Sequence, residues 1–360
     1  MPADSLDSPH PHGNPRNTAL KQQIPRPTVL VVGLGGTIAM TPSAADGAAR
    51  PTLSAEDLLA AVPQLGDVDA EIQTLSFTNK PGASLTLDDI EELASCLRTM
   101  TSERAVDGIV VTQGTDTLEE TAYLLSLLYE ADAPLIVTGA MRAPYLAGAD
   151  GPANLLAAVA VAASPQARGR GVLVVFSDQV FDAARVRKTH STSTNAFTAP
   201  DTGPLGTVAE GRLRLLAAPA HQPLPVAAAL AQPARVALYT ATLGDDGALL
   251  EPLLDQVDGM VIAGFGVGHV PASWVPILAK AAQRIPIVLA SRTGGGTTLT
   301  RTYGFDGSEK DLLSHSVIGA GHLDPYKARH LLTVLVRSGA DHEKIRATFG
   351  PAGTTPEGRG

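Results

Sequence analysis

The stretch TVLVVGLGGTIAM, residues 28–40, decides the fold. Its first five residues are β-branched or apolar, which predicts a buried strand. The strand runs into Gly33, Gly35 and Gly36, and glycines allow other groups to approach the main chain closely. Thr37 then lies just beyond the carboxyl end of the strand, where open α/β sheets bind their ligands. The stretch therefore predicts an α/β domain with a ligand site at this corner.

The glycine pattern of this corner does not match the common phosphate-binding loops. A dinucleotide fingerprint requires G-x-G-x-x-G, and Ile38 occupies the third glycine position. A P-loop requires a lysine after its last glycine, and residues 28–40 contain no lysine. A nucleotide-binding enzyme is therefore disfavoured. Taken alone, the corner is also consistent with a tight strand exit and a threonine without a chemical role.

A second corner of the same kind lies in GIVVTQGTDTLEETAYLL, residues 108–125. An apolar strand again runs into a glycine, Gly114, which is followed by Thr115 and Asp116. A hydroxyl beside a carboxylate is typical of nucleophilic sites, because a neutral hydroxyl reacts only when a base or a cation activates it. We therefore expect the two corners to share one site.

The composition, with 44% hydrophobic and 18% charged residues, is that of an ordinary globular protein. The 360 residues suffice for two domains that each bury a core. The formal net charge of −9 argues against nucleic acid or an anionic membrane surface as a partner. Cys96 is the single cysteine, which excludes a disulfide within the chain and a cysteine metal cluster. We expect neither metal nor cofactor. Because residues 1–27 lack the apolar run of a signal peptide, we expect a cytoplasmic protein.

The order of strand and helix patterns predicts the architecture. The patterns alternate, which predicts a mostly parallel sheet with helices on both faces. We expect a larger N-terminal α/β domain at residues 28–217 and a smaller C-terminal α/β domain at 234–349, joined by a linker at 218–233. The two ends, residues 1–27 and 350–360, are expected to be disordered tails.

Three local signals bear on the surroundings of the corners. Thr117, with Glu120 three residues later, predicts a capping box at the start of a helix. Asp324 before a proline marks the start of a second long helix. Residues 41–53 are small, polar and rich in glycine and proline, which predicts a mobile loop able to cover a pocket at the first corner.

The two corner motifs, GGTIA at 35–39 and GTDTLEETAYLL at 114–125, resemble those of the bacterial L-asparaginase and glutaminase-asparaginase family. Shorter matches to this family are GAM at 139–141, ADGP at 149–152, KTHST at 188–192 and GPLG at 203–206. The similarity covers nearly the whole chain. It implies hydrolysis of the side-chain amide of asparagine to aspartate and ammonia through an acyl-enzyme.

The resemblance also implies a role for individual residues. Thr37 is the expected nucleophile, and a water activated by Thr115 is the alternative. Thr115, Asp116 and Lys188 are expected to form a second cluster. In this cluster Lys188 tunes the threonine, and Asp116 binds the α-ammonium group of the substrate. Ser76 matches the family's serine that contacts the α-carboxylate.

Backbone groups and one neighbouring side chain complete the expected substrate site. The N–H groups at Gly36 and Gly114 are placed to hold the developing oxyanion. Phe77, next to Ser76, stands where many relatives carry a polar residue. The contacts that position 77 makes with substrate therefore differ from those of the relatives.

The chain departs from the family in the loop after the nucleophile. Relatives carry a tyrosine there, hydrogen-bonded to the nucleophile, and residues 41–53 contain none. Tyr303 is our first candidate for its replacement, because it falls near the position where relatives supply an acidic residue across a subunit boundary. Tyr145 is a second candidate. A structural role for Tyr303, packing a loop, is the alternative.

The resemblance implies a homo-oligomer, a dimer or a tetramer of paired dimers, because the family borrows a site residue across an interface. We expect asparagine as substrate, with glutamine as a second candidate. Two other functions stay open. An amidotransferase subunit acting on misacylated tRNA would need an extra N-terminal domain and a basic docking face, which this acidic chain does not predict. An amino-acid-binding protein that has lost the chemistry is consistent with the missing tyrosine.

Overall fold

The computed structural model describes residues 26–42, 49–51, 53–103, 106–217, 230 and 232–352. Most of the predicted N-terminal tail and linker lies outside these ranges. In the larger domain the strands are β1 Thr28–Gly33, β2 Met40–Pro42, β3 Ala49–Pro51, β4 Glu71–Ser76, β5 Gly108–Gly114, β6 Leu135–Ala140, β7 Val172–Phe176, β8 Gln179–Asp182, β9 Arg187–Lys188, β10 Phe197–Thr198, β11 Gly206–Ala209 and β12 Arg212–Leu215. Its helices are α1 Ala55–Ala60, α2 Leu87–Ser102, α3 Leu118–Leu128 and α4 Gly151–Ala162.

The larger domain is built on an eight-stranded sheet in the order β12-β11-β8-β7-β6-β5-β1-β4. From β4 to β7 every neighbouring pair is parallel, and β8, β11 and β12 add antiparallel pairs at the other edge. The predicted mostly parallel sheet is confirmed. Gly33 at the end of β1 aligns with Ser76 of β4 on one side and with Thr112 of β5 on the other. The carboxyl ends of these three strands therefore lie side by side.

Both faces of strand β1 are buried, which explains its nearly continuous apolar sequence. Leu30 and Val32 face a layer formed with helices α2, α3 and a helix of the smaller domain. Val29 and Val31 face the opposite layer, which is formed with α1 and α4. A central strand held between two apolar layers fixes the position of the corner that follows it.

The smaller domain is a four-stranded parallel sheet in the order β13-β14-β15-β16. Its strands are β13 Val236–Thr240, β14 Gly259–Gly264, β15 Ile287–Ser291 and β16 Ile318–Gly319. Its helices are α5 Leu250–Leu254, α6 Val275–Ala281, α7 Glu309–Ser314, α8 Pro325–Arg337 and α9 His342–Ala352. Helix α9 overlaps the first three residues of the predicted C-terminal tail, and residues 353–360 lie outside the described part of the chain.

Helix α8 joins the two domains. It packs on β13, β14 and β15 and also contacts α3 of the larger domain. Its buried side chains Ala328, Leu331 and Leu332 belong to the same apolar layer as α3. The predicted start of this helix is confirmed, because Asp324 accepts hydrogen bonds from the N–H groups of the first turn. The two domains are thus packed through a shared core.

The predicted capping box at Thr117 is wrong. The Thr117 hydroxyl donates instead to the carbonyl oxygen of Gly82 at 2.9 Å. The Glu120 carboxylate is hydrogen-bonded to His330 of helix α8. Both side chains of the sequence motif have found partners from distant parts of the chain, and these tertiary contacts replace the local one.

The predicted mobile loop at residues 41–53 contains strand structure near both of its ends. Strands β2 and β3 pair in antiparallel fashion, with Met40 opposite Pro51. The N–H of Leu53 also donates to the carbonyl oxygen of Ala39 at 3.0 Å. Residues 43–48 and 52 are outside the described part of the chain. Strand β3 lies against the turn that carries Thr37, so a hairpin borders the first corner.

Candidate active site

The first corner is a glycine turn whose backbone excludes side chains. Gly35 and Gly36 have φ angles of 98° and 90°, a region that L-residues with side chains avoid. Thr37 begins a short 3₁₀ turn, which is closed by a hydrogen bond of 3.0 Å from the N–H of Ala39 to the carbonyl oxygen of Gly36. The Thr37 side chain is half-buried at this turn.

The two corners are in direct backbone contact. A Cβ atom added at Gly36 would lie 2.0 Å from the backbone nitrogen of Gly114. One added at Gly114 would lie 3.3 Å from the Cα of Gly36. The neighbouring strands lead to this contact, since the N–H of Leu34 donates to the carbonyl oxygen of Thr112 at 2.9 Å. Thr37 and Thr115 each follow one of these glycines by one residue, so both lie at the contact between the two corners.

The second corner carries the predicted cluster of hydroxyl, ammonium and carboxylate. The Lys188 Nζ donates to the Oγ1 of Thr115 at 3.0 Å and to the Oδ1 of Asp116 at 3.1 Å. Thr115 is 5% exposed and the Lys188 side chain is 15% exposed, whereas the Asp116 side chain is 72% exposed. The ammonium can thus stabilise negative charge on the threonine oxygen in a partly desolvated place. The carboxylate of Asp116 remains open to a ligand.

Lys188 reaches the second corner from strand β9, which pairs with β10. Its backbone N–H donates to the Oε2 of Glu119 at 2.9 Å. Glu119 is buried in the first turn of α3, and burial raises the pKa of its carboxyl although the Lys327 ammonium opposes the rise. Glu119 is not among the site residues predicted from the sequence. The sequence feature that could have indicated its burial is an acidic residue placed among apolar positions of the helix, Leu118 and Ala122.

Ser76 and Phe77 lie at the same edge of the sheet as the corners. The Ser76 hydroxyl oxygen accepts a hydrogen bond of 3.2 Å from the N–H of Ala55, and the hydroxyl also interacts with the Glu56 carboxylate of helix α1. Phe77 anchors its strand end to β1 through its N–H, which donates to the carbonyl oxygen of Gly33 at 3.0 Å. The Phe77 ring packs against the core layer of α2 and α3. The parts of both residues in substrate binding stay predictions.

Tyr303 lies in the smaller domain with 43% of its surface exposed. Its ring contacts are with His269 and Phe305, whose ring centroids are 4.9 and 6.2 Å away. Its backbone N–H donates to the buried carboxylate of Glu309 at 2.9 Å. These contacts are all within the smaller domain. Tyr145, the second candidate, is also exposed and follows β6 of the larger domain.

The described part of the chain offers neither a metal centre nor a membrane-spanning helix. Among the residues that the structure describes, no group of three or more histidine, cysteine, aspartate or glutamate side chains is arranged to hold a metal ion. None of the helices in these same ranges combines the length and the apolar character needed to cross a membrane.

The fold is a two-domain α/β architecture with the candidate site at the carboxyl edge of the larger sheet. A family profile described as "Asparaginase, N-terminal" matches residues 28–221, and one described as "Glutaminase/Asparaginase C-terminal domain" matches residues 235–349. The chain belongs to the asparaginase family.

Known proteins agree with this assignment over most of their length. The chain is 36% identical over 327 residues to a "Probable L-asparaginase" of Deinococcus radiodurans, covering 90% of this chain and 97% of that protein. It is 34% identical over 334 residues to a "Glutaminase-asparaginase" of Pseudomonas aeruginosa, covering 89% of each. Among solved structures, the "Probable Cytoplasmic L-asparaginase from Campylobacter jejuni" has a TM-score of 0.79 and 30% identity, covering 90% of this chain and 99% of that one.

Proposed function

We propose that this protein hydrolyses L-asparagine to L-aspartate and ammonia, with Thr37 as nucleophile. The observation that carries the proposal is the backbone contact between Gly36 and Gly114. This contact supports a shared site for Thr37 and the cluster of Thr115, Asp116 and Lys188. The names of relatives from Deinococcus and Pseudomonas support asparagine as the substrate.

The chemistry follows from a hydroxyl placed beside a cation. The Thr37 oxygen forms a bond to the side-chain amide carbon of asparagine, and its proton passes through the second cluster to the amide nitrogen. The carbon–nitrogen bond then breaks and ammonia leaves, which produces an ester of aspartate on Thr37. Water attacks this ester, aspartate is released, and the hydroxyl of Thr37 is restored. Backbone N–H groups at the glycine corners hold the oxyanion in both steps.

Charge complementarity selects an amino acid as the ligand. Asp116 offers an exposed carboxylate to the α-ammonium group, and Ser76, at the exposed end of β4, is the proposed donor to the α-carboxylate. The side-chain amide is proposed to lie at Thr37, beside the contact between the two corners. Asparagine is the proposed substrate, and glutamine, which is one methylene longer, is the second candidate. The substrate is therefore a small zwitterion rather than a polymer.

Ammonia release from asparagine and from glutamine tests this function. We expect asparagine to be turned over at least about tenfold faster at low substrate concentration, since one methylene in a fitted pocket changes specificity by that order. Folded protein that releases no ammonia from asparagine would refute the proposal. Tight binding of aspartate by such an inactive protein would identify an amino-acid-binding protein instead.

We further propose that the chain acts as a homo-oligomer in which Tyr303 serves the site of a partner subunit. The exposed ring of Tyr303 and its lack of a described contact with the corners of its own chain support this arrangement. Replacing Tyr303 by phenylalanine is expected to lower kcat about tenfold or more by removing one proton-transfer group. Tyr326→Phe, at a similar exposure of 44%, is the control.

Co-expression separates a role in the partner's site from a role within one chain. Mixed oligomers of the Thr37→Ala and Tyr303→Phe chains are expected to regain activity, because one of their sites combines an intact Thr37 with an intact Tyr303. Unchanged turnover of Tyr303→Phe would remove this residue from the site.

A cytoplasmic location is part of the proposal, and the similar Campylobacter protein, which is described as cytoplasmic, supports it.

A further inference from the structure

Lys327 is a fully buried lysine at the interface between the two domains. Its ammonium donates to the carbonyl oxygen of Val186 at 2.6 Å and to the Oδ2 of Asp324 at 2.7 Å, and it lies 4.0 Å from the Oε2 of Glu119. Lys327 and Asp324 belong to α8 of the smaller domain and the residue that caps it, whereas Val186 and Glu119 belong to the larger one. A charged ammonium is stable in the protein interior only where it is paired and hydrogen-bonded, and these contacts meet that requirement.

Two of these contacts hold the segment that carries Lys188. Val186, which accepts from Lys327, precedes Lys188 by two residues. The Oε2 of Glu119 that faces the Lys327 ammonium also accepts from the backbone N–H of Lys188 at 2.9 Å. The main chain at residues 186–188 is therefore held by two hydrogen bonds, one at the Val186 carbonyl and one at the Lys188 N–H. The Lys188 side chain extends from this segment to Thr115.

We infer that Lys327 and Glu119 are positioning residues for Lys188, through which the smaller domain fixes the strand that delivers the ammonium to Thr115. The kinetic part of this inference rests on the proposed function. Neither residue touches the reacting groups directly. Positioning errors of about 1 Å can cost on the order of 10²-fold in rate, so the effect is measurable.

The Lys327 ammonium is a paired buried charge, because two carboxyl groups of the interface lie close to it. Burial favours the neutral form of Asp324, but the Lys327 ammonium and its hydrogen bond hold the pKa of Asp324 below its ordinary value. The same ammonium opposes the effect of burial on the pKa of Glu119. Loss of Lys327 would leave two carboxyl groups without their buried cation.

A series of substitutions at Glu119 and Lys327 tests the inference. Glu119→Gln keeps an oxygen that can accept from the Lys188 N–H, whereas Glu119→Met and Lys327→Met remove an attachment point. The control is His330→Leu, which removes the neighbouring hydrogen bond between α8 and α3 without touching residues 186–188. The readouts are kcat for asparagine, the melting temperature, and amide hydrogen exchange of a peptide spanning residues 186–190.

We expect Glu119→Met and Lys327→Met to lower kcat about tenfold or more and to speed exchange at 186–190. Glu119→Gln and the control are expected to stay within about threefold of wild type in kcat. In a Lys188→Met background, Glu119→Met is expected to add less than about a twofold loss, because its effect acts through Lys188. If Lys327→Met does not fold, the Glu119 variants decide.

Unchanged kcat and unchanged exchange in Glu119→Met would overturn the inference, even if the melting temperature falls. A full, independent loss of kcat in the Lys188→Met background would also overturn it. The exchange measurement does not depend on catalysis. A wild type that fails to hydrolyse asparagine therefore refutes the proposed function, while the exchange result still decides the positioning role.

Discussion

Thr37→Ala is expected to lower kcat for asparagine about 10⁴-fold or more, because it removes the nucleophile and leaves only binding and oxyanion stabilisation. The fold is expected to survive. The turn at Thr37 is closed by a main-chain hydrogen bond between Ala39 and Gly36, which alanine leaves intact. Steady-state ammonia release and circular dichroism measure the two effects.

Thr37→Ser is the matched control for this prediction, since it keeps a hydroxyl at the same place. We expect it to retain a measurable part of the activity and, after rapid acid quench, to carry an aspartyl adduct on the peptide that contains residue 37. Wild-type activity in Thr37→Ala would contradict the assignment of the nucleophile. It would favour a water activated by Thr115 as the attacking group.

Lys188→Met is expected to lower kcat about 10³-fold, within the range lost when a proton-transfer or charge-stabilising group is removed. The ammonium of Lys188 is hydrogen-bonded to both Thr115 and Asp116. Its removal leaves the partly buried Thr115 hydroxyl without a cation. The measurement is kcat and KM for asparagine together with aspartate affinity.

Two comparison variants make the Lys188 result specific. Lys280→Met breaks an ion pair of 3.0 Å with Glu251 on the surface of the smaller domain and is expected to leave kcat unchanged. Lys188→Arg keeps the charge but changes its geometry, and we expect it to recover only part of the activity. A Lys188→Met enzyme within about threefold of wild type would show that the second cluster does not take part in the reaction, because loss of a charge-stabilising group costs far more than that.

The fold and the two corners could be predicted because their causes are local. Strand β1 is buried on both faces, so an unbroken apolar run identifies it. The glycine at position 36 indicates a close backbone approach, although only the structure shows that the approaching group is the backbone of Gly114. Parallel pairing of neighbouring strands then brings corners 78 residues apart to one edge, as the difference between positions 36 and 114 shows.

The remaining parts of the site depend on partners that no local pattern specifies. Thr117 satisfied the sequence rule for a cap, yet it bonds to Gly82, 35 residues away. Glu120 bonds to His330 across 210 residues. Lys327 has the residue type of a surface side chain and is fully buried, because the carboxylate and carbonyl groups that pair with it converge only when the domains pack.

The central proposal is that the two glycine–threonine corners form one amino-acid site. A crystal structure of Thr37→Ala with L-asparagine tests this proposal most directly. We predict one asparagine whose α-ammonium contacts Asp116 and whose side-chain amide carbon faces residue 37, with the Lys188 ammonium beside Thr115. Asparagine bound away from either corner, or absent from the site at saturating concentration, would contradict this assignment.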